Sequence, residues 1–187
     1  MKYIGTHTIE TERLILRKLT INDAYRAFEN WCNKEDVDKY VLWKKHENVN
    51  VTLKQYENWV LEYDNPKTFR WIIEIKETGT VIGTIDVSSR FLRFGTCEIG
   101  YCYGDEFWNK GYGTETLKAI IKYLFEEAEA DLICAEHMSN NPASGKIMEK
   151  SGMKYEGILR SRVIDKNNKR NDLINYSITR EEYYNGL

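Results

Sequence analysis

Apolar and charged residues alternate from Arg13 to Leu19, the period-two pattern of a strand with one buried face. Thr20-Ile21-Asn22-Asp23 follows and predicts a helix cap before a helical stretch from Ala24 to Trp31. A second helical stretch is expected near Leu53 to Leu61. Aromatic and β-branched residues from Phe69 to Ile75, a turn at Thr78-Gly79 and a renewed run from Val81 to Val87 predict a hairpin. Cys97 to Tyr103 reads as a further strand.

Leu117, Ile120, Ile121, Leu124, Phe125 and Ala128 then fall on one stripe at helical spacing, which would seat a helix against a sheet. A short strand is expected from Leu132 to Glu136. Asn141-Pro142 starts another helix, with Asn as N-cap and Pro at the first helical position, and Gly152 lies beyond its last turn. Met153 to Leu159 and Asp172 to Ile178 close the chain as strands around the polar turn Asp165 to Lys169. Strands before, between and after helices predict an α+β fold with a mixed, twisted sheet of about six to seven strands flanked by helices. No repeat or linker divides the pattern, so residues 1–187 are expected to form a single domain.

Composition narrows the setting. The chain has 187 residues, 42% hydrophobic and 30% charged, with a net charge of -2, enough for a full core and without the basic excess of a nucleic-acid binder. Apolar runs are short and broken by charge, so neither a membrane span nor a signal peptide is expected, and the location implied is cytoplasmic. The four cysteines, Cys32, Cys97, Cys102 and Cys134, lack the spacing of metal or dithiol motifs. Free thiols and no metal are the expectation. Cys102 lies beside the glycine loop, yet nothing near it in sequence would activate a nucleophile.

The chemistry concentrates in Phe107-Trp108-Asn109-Lys110-Gly111-Tyr112-Gly113-Thr114-Glu115-Thr116, a glycine-containing loop between strand and helix. Glycines at a helix mouth let the backbone approach a ligand and aim unpaired N–H groups at one point, which suits a phosphate. A P-loop needs Gly-Lys-Ser/Thr, but Lys110 precedes Gly111. A dinucleotide site would use Gly111 and Gly113, with Glu136 as ribose acceptor; Thr116 stands where its third glycine belongs, and the loop from Gly104 is too long. An acyl-CoA enzyme is the third owner.

Here the chain resembles the GNAT acetyltransferases. The family's pyrophosphate loop, Gln or Arg, two variable residues, Gly, one residue, Gly or Ala, falls on Trp108, Gly111 and Gly113. Trp108 departs from the general pattern and matches the branch of Rim-type ribosomal-protein N-acetyltransferases (RimJ/RimL). Thr11-Glu12-Arg13-Leu14-Ile15-Leu16-Arg17, Glu98-Ile99-Gly100-Tyr101, Asn141 with Ser144, Met148 to Met153, and Arg170-Asn171-Asp172-Leu173 with Tyr176-Ser177 agree with that branch in the correct order.

The resemblance implies acetyl-CoA as cosubstrate, its pyrophosphate held by backbone N–H groups of Asn109, Lys110, Gly111, Tyr112, Gly113 and Thr114. It implies a strand that splays from its neighbour, so that Tyr101, Cys102 and Tyr103 pair through the backbone with the pantetheine arm. Lys110 and Lys146 would meet phosphate charge. Acetyl transfer would be direct, with Glu98 as base for the attacking amine or, on the plainer reading, a solvated carboxylate. The usual tyrosine acid is replaced by Met148; the branch points instead to Ser144, with Asn141 bonding the pantetheine or acetyl region. Both also fit as ordinary helix-start residues.

The acceptor would be a protein N-terminal amine or a small-molecule amine, in a groove formed by Asn33 to Val51, the Ser88 to Gly95 hairpin and the turn Asp165 to Lys169. Glu35, Asp36 and Asp38 would attract a cation or simply form a solvated face. A monomer or homodimer is expected, with no nucleic-acid or membrane partner. A catalytically silent acyl-CoA sensor with the same fold stays open as the alternative.

Overall fold

The computed structural model describes residues 1–88 and 94–186. Its strands are β1 (Ile9–Glu10), β2 (Leu14–Arg17), β3 (Arg70–Ile75), β4 (Thr80–Ser88), β5 (Thr96–Tyr103), β6 (Leu132–Met138), β7 (Lys154–Ile164) and β8 (Arg170–Thr179). They form one eight-stranded sheet in the order β1-β2-β3-β4-β5-β6-β8-β7. The expected six to seven strands become eight because the two-residue β1, too short for a periodic signal, pairs with β2. Neighbours are antiparallel except β5 and β6, which run parallel and are joined by a crossover helix.

That helix is α4 (Tyr112–Glu126), and its predicted stripe is buried: Leu117, Ile120, Leu124 and Phe125 are fully enclosed. They pack with Ile82, Ile85, Cys97, Ile99, Ile133 and Ala135 on one face of the sheet, where α5 (Pro142–Lys150) and Met148 also lie. The opposite face carries a second core built by α1 (Asp23–Ala27) and α3 (Val49–Leu61), in which Ala24, Ala27, Trp31, Cys32 and Tyr56 pack on Ile72 and Val81. The chain ends in α6 (Arg180–Asn185), capped by Thr179.

Local departures have local causes. The helix expected over Ala24 to Trp31 narrows to α1 and then opens into a π-helical turn, Phe28–Cys32, which brings both Trp31 and Cys32 inward. Its cap also runs backwards: the Asp23 carboxylate accepts from the Thr20 N–H at 2.7 Å and hydroxyl at 2.9 Å, and Arg17 pairs with it at 2.8 Å. The second helix starts at Val49 rather than Leu53 because Asn48 caps it, its side chain accepting from the Asn50 N–H. Between them the stretch of mixed periodicity holds one helical turn, α2 (Glu35–Asp38). Gly152 ends α5 as anticipated, with φ at 91°, a conformation that favours glycine.

Candidate active site

Parallel pairing of β5 with β6 runs from Thr96↔Leu132 to Ile99↔Ala135 and stops there. Beyond it β5 continues to Tyr103 bound only to β4, while β6 continues to Met138 bound only to β8. The two strands therefore open a wedge at Gly100 and Glu136. Antiparallel alternation decides which backbone groups face it. The Gly104 N–H donates to Ile82 at 3.0 Å, so Cys102 and Gly100 also turn their peptide groups to β4, and Tyr101 and Tyr103 turn theirs to the wedge.

At one end of the wedge lies the glycine loop. Asn109 (φ 60°) and Gly111 (φ 83°) both adopt left-handed backbone, and Gly111 is the N-cap of α4, with no side-chain cap bond at the helix start among the described residues. The first-turn N–H groups of a 15-residue helix are thus left for a ligand, at the positive end of its dipole. Arg13 braces this loop from below. Its guanidinium donates to the Lys110 carbonyl at 3.0 Å and to Glu115 at 2.7 Å, and lies 4.6 Å from the Tyr112 ring centroid. Burial alone would raise the Glu115 carboxyl, but bonds from the Thr11 hydroxyl and from Arg13 outweigh it and hold the group below its usual range. Thr11 entered the sequence reading as a matching residue and Arg13 as that and as the start of a strand, which begins at Leu14 instead; the structure makes both the brace of the loop.

Gly113 has a different reason to be glycine. A Cβ there would stand 2.7 Å from Ile147 Cδ1, so its absence lets α4 approach α5, whereas Gly111 supplies the turn. This contact concerns only the missing Cβ; the Gly113 N–H still lies in the first turn of α4. Trp108 is also structural: its indole N–H donates to the Tyr103 carbonyl at 3.0 Å and its ring meets Tyr40 edge-on at 5.9 Å. It ties the loop to the end of β5.

At the other end is a cavity of about 330 Å³ lined by Tyr40, Asp86, Glu98, Gly100, Tyr101 and Ser144, among others. Strand alternation puts the side chains of Asp86, Glu98 and Glu136 on the same sheet face, and Glu136 also lines the cavity. Asp86 is opposite Gly100 in register, its Oδ1 close to where a Cβ on Gly100 would be, while its Oδ2 accepts from Arg70 Nε at 3.3 Å. Burial pushes the Asp86 carboxyl up, and Arg70 only partly opposes this. The sequence reading missed Asp86 as a site residue. Period-two patterning on β4 could have set it on the polar face, but not opposite Gly100.

Most of the residues named from sequence converge on the wedge. Glu98 lines the cavity one residue before the last pair, Ile99↔Ala135. Tyr101 crosses to α5, its hydroxyl 2.7 Å from Ser144 Oγ. Asn141 caps α5, its side chain accepting from the Ser144 N–H at 3.4 Å, and Asn141 and Ser144 both line the cavity. Cys102 is turned away: its side chain packs in the α1–α3 core, and burial pushes its thiol well up. Tyr103 presents its carbonyl to Trp108, which takes up that acceptor. Lys110 is exposed beside the Phe107 ring, at 5.6 Å from its centroid, and Lys146 is exposed on α5.

The acidic run resolves to a paired surface. Asp36 bonds Lys39, Glu35 bonds Lys45, and Asp38 bonds Lys166. The last contact joins α2 to the turn between β7 and β8, so two of the three expected groove segments touch. Of the third, Ser88 lines the cavity and residues 89–93 lie outside the described residues. Glu136, the ribose acceptor of the dinucleotide alternative, faces the same cavity as Glu98. All four cysteines are free, and burial pushes Cys32, Cys97 and Cys134 up to about 12.

Comparison with known proteins places this geometry. Residues 13–154 match the model of the acetyltransferase (GNAT) domain. The uncharacterized N-acetyltransferase YoaA of Bacillus subtilis is 31% identical over 152 residues, 81% of this chain and 85% of that protein. The [ribosomal protein uS5]-alanine N-acetyltransferase of Escherichia coli is 33% identical over 64 residues, 34% of this chain and 33% of that protein. A crystal structure of a GNAT-family acetyltransferase from Bacillus anthracis superposes with a TM-score of 0.82 at 27% identity, covering 94% of this chain and 99% of that one. With the family model covering most of its length, the chain belongs to the GNAT family of acetyltransferases.

Proposed function

We propose that the protein transfers the acetyl group of acetyl-CoA directly to a primary amine, on a protein N-terminus or a small molecule. The observation that carries this reading is the continuous path from the unpaired N–H groups of α4, along the free edge of Tyr101, to the carboxylate-lined cavity. The loop amides would hold the pyrophosphate, and the Tyr101 peptide would pair with the pantetheine arm as an added strand does. That alignment sets the thioester at the point where the strands part.

An attacking amine must be neutral, and an α-amine or lysine is largely protonated at pH 7. Glu98, in the cavity wall, is the group that takes the proton, directly or through a water. As the C–N bond forms and the C–S bond breaks, the electron pair stays on sulfur. A serine hydroxyl is a much weaker acid than a thiol, so Ser144 aids departure by donating a hydrogen bond to sulfur rather than by surrendering its proton. The thiolate is protonated from solvent on release.

Incubation with acetyl-CoA and a panel of N-terminal peptides, polyamines and aminoglycosides, with thiol release followed, tests this. Acceptor-dependent release supports the reading. CoA binding without release on any acceptor would replace it with an acyl-CoA sensor.

A further inference from the structure

The Tyr101 hydroxyl stands 2.7 Å from Ser144 Oγ and 3.1 Å from the Ser144 carbonyl oxygen. The bond to the carbonyl has one possible direction, because a carbonyl only accepts. The bond to Oγ can run either way. Tyr101 lies just past the last β5–β6 pair and Ser144 in the first turn of the helix that follows β6, so this contact spans the wedge. Met148, one turn later on α5, is buried and carries no proton to give.

Resting on the assignment of Ser144 as donor to the leaving sulfur, we propose that Tyr101 is the positioning residue that directs the Ser144 proton into the cavity. When Tyr101 donates to the carbonyl, the serine proton can be drawn to the phenol oxygen, away from the cavity. When Tyr101 donates to Oγ instead, the serine proton is released to point elsewhere, and the chain of two donors strengthens the outer bond. Negative charge growing on sulfur selects the second arrangement. Without Tyr101, Ser144 is free to bond back to its own helix, the usual habit of a serine in a first turn. No proton leaves Tyr101 at any point; it keeps its hydrogen and changes acceptor. Burial, which raises this phenol despite the bond to Ser144, is consistent with that.

The test compares Tyr101→Phe, Ser144→Ala and the double variant in the full chain, reading kcat, KM for acetyl-CoA and CoA affinity. The inference expects Y101F to lower kcat about tenfold, the worth of one hydrogen bond, with KM and CoA affinity within about twofold. It expects the double variant to be no slower than S144A. With an acetyl thioester of a more acidic aryl thiol, the Y101F loss should shrink, because that sulfur needs less stabilisation; a purely structural role would slow both donors alike. Replacing Tyr101 by 3-fluorotyrosine keeps the ring and makes the phenol a stronger donor, so kcat should rise; an unchanged kcat overturns the inference even if Y101F does not fold. Wild-type kcat in Y101F, or losses that multiply in the double variant, would overturn it while leaving Ser144 as the donor. Wild-type kcat in S144A would overturn the donor assignment itself, and the inference with it.

Discussion

Arg13 and Glu115, far apart in sequence, meet beneath the glycine loop with both Nε and Nη2 of the arginine 2.7 Å from Glu115 Oε2. The other carboxylate oxygen accepts from the Arg13 N–H at 2.9 Å and the Thr11 hydroxyl at 2.6 Å. A carboxylate in the first turn of the helix would repel a phosphate, and the guanidinium offsets its charge. Arg13 Nη1 also holds the Lys110 carbonyl. In a trans peptide the N–H of the next residue points the opposite way, so this bond aims the Gly111 N–H away from Arg13.

Arg13→Ala should therefore weaken CoA binding about tenfold, the value of one charge-assisted hydrogen bond, and leave kcat near its original level. Arg13→Lys should not restore it, because an ammonium cannot serve Glu115 and the carbonyl together in this fork geometry. Calorimetric titration with CoA and steady-state kinetics check both.

The two glycines of the loop should respond differently to alanine. At Gly111 the left-handed backbone costs an alanine roughly 1 kcal/mol, and the added Cβ would meet Arg13 Nη2 at 3.2 Å, so stability and CoA affinity both fall. At Gly113 the obstacle is Ile147 Cδ1 at 2.7 Å, which Ile147→Val removes. G113A should lose stability and I147V should recover part of it in the double variant, with no such rescue for G111A. Urea unfolding of the wild type, the three single variants and the two double variants decides this.

Glu98→Gln should lower kcat about 100-fold while CoA affinity stays unchanged, the usual scale of a lost general base. A kcat in E98Q near the wild-type value, measured at one pH with the same acceptor, would move the role to another cavity group, with Asp86 the first to examine.

Stability at low pH should depend on Asp23. Burial alone would raise its carboxyl, but Arg17 and Thr20 bond it and hold it below its usual value. A carboxyl lowered in the folded state stabilises fully above its unfolded pKa of about 3.9 and stops doing so as pH falls through the folded value. Asp23→Ala should cost about 3 kcal/mol at pH 7, because it leaves the Arg17 charge with Glu74 alone, and the cost should shrink below pH 4. Denaturant unfolding of both proteins between pH 7 and pH 3 measures it.

Local chemistry was legible without a structure. The stripe from Leu117 to Phe125 could be buried as one helix, which ends at Glu126 before the expected Ala128, Asn141-Pro142 could begin a helix and Gly152 end it, and Gly111 could supply a left-handed turn before a helix mouth. Each depends on residues within a few positions of one another, so periodicity and backbone preference suffice. The same limit explains the misses. A two-residue β1 has no period, the π turn at Phe28–Cys32 answers to the core around Trp31, and the close approach of Gly113 to Ile147 joins two helices.

The sequence alone determined most of the element types, the glycine-bearing helix mouth and, through ordered motifs, the resemblance to acetyltransferases. Tertiary structure decided where β5 and β6 part, that Asp86 stands opposite Gly100, that Arg13 reaches Glu115 and that Tyr101 reaches Ser144. Those contacts join separate segments of the chain, and strand register with helix packing brings them together. Chain spacing carries no record of such distances, because they arise only when the sheet and its helices close on a common core.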